Sequence, residues 1–208
     1  MAHSFRDLVV WRRANGIERA NSMISRLICG AFATVVLAGV FAQAQSNQKL
    51  NNLIIYGDGF SFAVREPDGW VGDTDKVAAK YHVNVVFLPP EASKKYDVTI
   101  RVLICNKHDD NTIEDLNYDM QGYKKEFPKA QFSELNLHHD EYKTFAKTVF
   151  VPNQFYEYVA YVNPGPGKRF IFSVAMSKQN EPATDDELKA YEAVLKSIFW
   201  LTSNVIER

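Results

Sequence analysis

The chain has 208 residues, 46% hydrophobic and 24% charged, with 24 basic and 25 acidic side chains. These values exclude a collagen-like, low-complexity or disordered chain and fit one globular domain of ordinary size. Arg6, Arg12, Arg13, Arg19 and Arg26 but only Asp7 and Glu18 lie in the first 44 residues, so the remainder is acidic on balance. A body without a basic stripe cannot displace phosphate counterions, and no nucleic-acid partner is expected.

Leu27 to Phe41 is an apolar run of 15 residues, preceded by Arg26 and followed by Ala42-Gln43-Ala44. A bilayer core about 30 Å thick takes about 20 helical residues, so the run is short for a stable span. A basic residue, an apolar run and small residues two apart form a secretory signal, with cleavage expected after Ala44. An uncleaved anchor is the alternative. Met23 alone would open a well-formed signal over 23–44, which makes residues 1–22 a misassigned start or an extended leader. Within them, Phe5 to Ala14 resembles the opening of a family of small bacterial four-helix-bundle proteins. That likeness ends after about ten residues and implies nothing functional here.

Residues 45–58 read as a flexible lead-in and 59–202 as the folded domain, with 203–208 as a tail. Phe60 to Val64 alternates as a strand does and runs into Pro67-Asp-Gly-Trp70, a turn in which proline presets φ and glycine accepts the left-handed region. Trp70 is expected to anchor this turn on the core. Asp73 or Thr74 caps a short helix toward Tyr81. His82 to Leu88 is a strand stopped by Pro89-Pro90. Asp97 to Cys105 is another, with Val98, Ile100, Val102 and Ile104 on one face and Thr99, Arg101 and Leu103 on the other. Cys29 lies in the segment expected to be removed, which leaves Cys105 without a disulfide partner. The fold must therefore rest on its core.

Asn111 or Thr112 opens a helix in which Ile113, Leu116, Met120, Tyr123 and Phe127 recur at spacings of three and four, and Pro128 ends it. Phe132 to Leu137 reads as a strand, His138 to Glu141 as a turn, and Tyr142 to Val151 as the next strand. Phe155 to Val162 and Arg169 to Met176 are apolar at odd and even positions alike, which predicts central strands covered on both faces. Asn163-Pro-Gly-Pro-Gly167 joins them. The last helix opens with Thr184-Asp-Asp-Glu187, a capping-box spacing, and buries Leu188, Tyr191, Val194, Leu195 and Ile198.

Six or seven strands in mostly antiparallel connections, with two amphipathic helices to cover them, predict an α+β fold. Its architecture is a three-layer α/β/α sandwich around a mostly antiparallel sheet. The Phe-x-Phe strand into Pro-x-Gly-Trp, the middle helix, the late aromatic hairpin and the closing helix resemble the PsbP-like α/β/α sandwich superfamily over Phe60 to Leu201. Its members include the PsbP subunit of photosystem II, a Ran-binding import factor and DcrB-type periplasmic proteins. The resemblance implies an accessory or binding protein, with a protein partner and no chemistry of its own. Kinship of fold does not supply the partner.

The phosphate-loop spacing GxxxxGK, the nucleophile elbow GxSxG, HExxH and paired CxxC are all missing from the sequence. Two clusters of metal-ligand type remain: His108-Asp109-Asp110 and His138-His139-Asp140-Glu141. Imidazole and carboxylate hold zinc when three or four converge on one point, so His108, Asp110, His138, His139 and Asp140 are the candidate ligands. Solvated loops are the plainer reading. No cofactor is expected. The two functional readings are an exported, non-catalytic interaction domain and, alternatively, a metal-binding protein or metal-dependent hydrolase built on the histidines. A third idea, a small apolar ligand against Tyr156, Tyr158 and Tyr161, requires open space that close packing normally fills.

Overall fold

The computed structural model describes residues 52–89, 97–108 and 111–201. They form ten strands and three helices: β1 (Asn52–Gly57), β2 (Phe60–Arg65), β3 (Val71–Asp73), α1 (Lys76–Tyr81), β4 (Val85–Leu88), β5 (Val98–Asn106), α2 (Thr112–Glu126), β6 (Gln131–Glu134), β7 (Lys143–Val151), β8 (Phe155–Asn163), β9 (Phe170–Gln179), α3 (Asp185–Ser197) and β10 (Phe199–Trp200). The expected leader, Pro90 and the charged loop after it, and the tail lie outside the described residues.

Seven strands make the main sheet in the order β3-β4-β5-β9-β8-β7-β6, and every pairing is antiparallel. β8 and β9 sit inside it, as apolar residues at both odd and even positions predict. On one face Val102, Ala160, Val162, Phe172, Val174 and Met176 meet Tyr191, Val194 and Leu195 of α3. On the other, Val149, Val159, Tyr161 and Ile171 meet Leu116, Met120 and Tyr123 of α2. The even and odd residues of β5 divide between the two faces as the alternation of Val98 to Leu103 predicts.

The sandwich has a further component. β1, β2 and β10 form a separate three-stranded antiparallel sheet in the order β1-β2-β10, which shares the α3 side of the main sheet. Residues 52–57, expected within the lead-in over 45–58, are thus a strand. Asp58-Gly59 closes the hairpin, with Gly59 at φ +76°, a backbone region that glycine enters without steric cost. The inner side chains Phe62 and Val64 are buried, with Leu53, Ile55 and Trp200 packed against the same core.

Local details depart from the sequence reading in physically clear ways. α1 starts at Lys76, and its opening N–H groups are met by Asp73: Oδ1 accepts from Val77 at 2.8 Å and Ala78 at 3.0 Å. His82 takes a left-handed conformation that ends this helix, so β4 starts only at Val85. In α2, Ile113 points outward and Thr112 is buried instead, because Asn163 at the end of β8 donates from Nδ2 to Thr112 Oγ1 at 2.8 Å. Trp70 packs against the main core, and its N–H closes the turn onto the Pro67 carbonyl at 3.0 Å.

The capping box of α3 is complete. Thr184 Oγ1 accepts from the Glu187 N–H and Glu187 Oε2 from the Thr184 N–H at 2.7 Å. Lys178 on β9 grips the same carboxylate, with Nζ 2.7 Å from Oε2, so the cap is fastened to the sheet. Thr184→Ala is expected to lower stability by about 1 kcal/mol in urea unfolding, with the native spectrum retained.

Candidate functional site

The chemistry-bearing loops all gather at one end of the main sheet. β5 ends at Asn106 opposite the start of β9, and β7 starts at Lys143 opposite the end of β8. The loops after β5 and before β7 are three strand spacings apart, about 14 Å. They also turn to opposite faces. The exposed His108 ring stacks with Tyr118 of α2 at 6.4 Å, whereas His139 is buried at the end of α3.

His139 has both ring nitrogens committed. Nε2 lies 2.8 Å from the carbonyl of Ile198, which can only accept, so Nε2 carries the proton. Nδ1 then accepts from the backbone N–H groups of Glu141 at 3.0 Å and Tyr142 at 3.1 Å. The ring stacks on Tyr142 at 4.5 Å, and the Tyr142 hydroxyl accepts from the Trp200 N–H at 3.1 Å. His139 and Tyr142 thus hold the backbone on either side of Phe199. His138 points outward, with Nε2 2.7 Å from Asn136 Oδ1, and Asp140 is exposed. Asp110 lies outside the described residues. Among the described residues, no three His, Cys, Asp or Glu side chains are grouped to hold a metal ion.

The His138–Glu141 turn is therefore a latch that joins the main sheet to the small one. His139 and Ile198 are 59 positions apart in the sequence, and no local pattern announces that contact. His139→Ala is expected to cost about 1 to 3 kcal/mol, because it removes the partner of the buried Ile198 carbonyl and of two partly buried N–H donors. Amide hydrogen exchange at Trp200 and Leu201 should quicken in the same variant, which checks the assignment.

Beside the latch is a cavity of about 430 Å³ lined by Glu141 to Lys143 and Asn163 to Pro166. Part of its wall is already bonded within the protein. Asn163 Oδ1 accepts from the Gly165 N–H at 2.9 Å, and Lys107 Nζ donates to the Gly165 carbonyl at 2.8 Å. None of the tyrosines considered for an apolar wall lines it. Tyr161 is fully buried, Tyr158 is buried and accepts from the Ala183 N–H at 2.9 Å, and Tyr156 stacks on Phe150 at 4.5 Å. Burial, then Asp119 and Asp115, push the Cys105 thiol well above its usual range, which leaves it a poor nucleophile at neutral pH.

What the latch presents is an apolar face. The strand alternation across it puts Ile198 and Trp200 inward and Phe199 outward. Register aligns Ile54, Ala63 and Phe199 in one row across β1, β2 and β10, and sets Tyr56 beside Ser61 in the next. Ile54 is 51% exposed, Tyr56 74% and Phe199 48%. Large apolar side chains seldom line up on a solvated sheet face unless something rests against it. Sequence periodicity alone missed this face, and the Asp-Gly turn was the one local signal for it.

No family model and no curated protein matches the chain. Solved structures do. The cyanobacterial PsbP of Synechocystis is 18% identical, covers 79% of this chain and 99% of its own, and superposes with a TM-score of 0.45. LpqN of Mycobacterium tuberculosis, described as involved in cell envelope biogenesis, is 16% identical over 78% of this chain and 97% of its own, with a TM-score of 0.47. The Ran-binding protein Mog1p of Saccharomyces cerevisiae is 12% identical over 72% and 95%, with a TM-score of 0.44. This chain is similar to them in fold. The likeness extends to fold alone. No helix among the described residues is long and apolar enough to cross a membrane.

Proposed function

We propose that the protein is an exported, non-catalytic accessory domain that works by binding another protein through the outer face of its small sheet. The observation that carries this reading is the row Ile54, Ala63 and Phe199, with Tyr56 beside it, on a face that nothing among the described residues covers. Export rests on the apolar run Leu27 to Phe41 and the small residues after it. The His139 latch then has a role: it fixes the strand that displays Phe199.

The test is chemical crosslinking and pull-down in the native compartment with the parent chain and Phe199→Lys. The variant exchanges an exposed side chain and should fold normally. One specific partner captured by the parent and lost with the variant is the expected result. Equal capture by both sinks the proposal for this face. Intact mass of the recovered protein checks the expected start after Ala44.

A further inference from the structure

β1 pairs with β2 alone among the described residues, so its other side presents an open row of backbone N–H and C=O groups. Folded proteins ordinarily guard such edges with a charge, a proline or a bulge. Asn52-Leu-Ile-Ile-Tyr-Gly57 has none of these: it carries no charge and no proline, and it pairs with β2 over six consecutive residues without interruption.

We infer that the edge of β1 is completed by β1 of a second copy of this chain, paired antiparallel about a two-fold axis through Ile55. Opposed residues in an antiparallel pair share a face, and a two-fold axis normal to the sheet pairs odd residues with odd and even with even. With the axis at Ile55, Tyr56 opposes Ile54 of the partner subunit, and the reverse pair forms by symmetry. Both exposed apolar side chains thereby gain an aromatic–aliphatic neighbour of the kind that stabilises sheets. Leu53 meets Gly57 and Asn52 meets Asp58, so no like charges oppose. An axis at Ile54 would set Tyr56 against Asn52 and lose both favourable pairs. The product is a continuous six-stranded sheet in which the two outer apolar faces become one. This goes beyond the proposed binding role, because the second copy occupies the strand edge and leaves the face free.

Sedimentation of the exported chain, with Ile54→Lys and Tyr56→Glu as variants, tests the register. Both positions are more than half exposed, so the fold should tolerate them. The parent chain should show a concentration-dependent dimer. Each variant alone should associate about tenfold more weakly or worse. Mixed in equal amounts, the two should recover association, because the introduced lysine faces the introduced glutamate across the axis. A monomer at every concentration overturns the inference, as does a dimer indifferent to both substitutions or a mixture no tighter than its parts. A monomer whose β1 amides are protected by the residues before Asn52, or that associates with lipid vesicles instead, also overturns it. Phe199→Lys should leave the dimer intact, so failure here and failure of the proposed function are separate results.

Discussion

Glu157→Leu is expected to destabilise the protein by about 3 to 5 kcal/mol, the cost of leaving a buried charge without its partner. Arg101 on β5 and Glu157 on β8 lie on the α2 side of the main sheet, their side chains 7% and 1% exposed, with Nη2 2.6 Å from Oε1. The same Nη2 also donates to Ser177 Oγ, and the Tyr123 hydroxyl donates to Glu157 Oε2 at 2.6 Å. Removing the carboxylate therefore strands a guanidinium and a phenol together. Tyr81, whose ring lies 5.9 Å from the guanidinium, stabilises it only weakly. The double variant Arg101→Met with Glu157→Leu should recover the part of the loss due to the guanidinium, because apolar residues then replace the buried ion pair, while the bond from Tyr123 to Glu157 stays lost. Urea unfolding of the two single variants and the double measures both terms, and additive losses would contradict the pairing.

Phe172→Ala is expected to cost about 3 to 5 kcal/mol. Phe172 is fully buried on β9, where the main sheet meets the small one. Its ring meets Phe62 of β2 edge-on at 5.1 Å and Trp200 of β10 at 5.9 Å. Both contacts bridge the two sheets, so the loss should not spread evenly. Amides of β2 and β10 should exchange faster in this variant while those of β8 keep their protection. If β8 and β10 loosened together, the two sheets would be one cooperative unit and the junction less discrete than the packing indicates.

The two effects differ in what the sequence discloses. Phe172 belongs to a strand that carries apolar residues at odd and even positions alike from Phe170 to Met176, interrupted only by Ser173, and its burial follows from that pattern. Arg101 is legible only as a polar residue on the second face of β5. Its partner is 56 residues away in a strand that otherwise reads as apolar. The candidate metal ligands show the same limit. Composition marks the histidines, but a ring nitrogen's use depends on which carbonyl folds beside it. His139 meets Ile198 and Tyr142, while the exposed His138 at the next position meets Asn136.

The amino-acid order by itself determined the central strands, the faces of β5, the capping box of α3 and the turn at Pro67. Each depends on side-chain period or on backbone preferences within a few residues. Tertiary structure alone decided that β1, β2 and β10 leave the main sheet to make their own, that Glu157 neutralises Arg101, and that His139 holds the backbone before Phe199. β10 has two residues, too few to show any period, and the other contacts span more than fifty positions. Packing energy selects such contacts only after the chain has closed those loops, so no local window of sequence contains them.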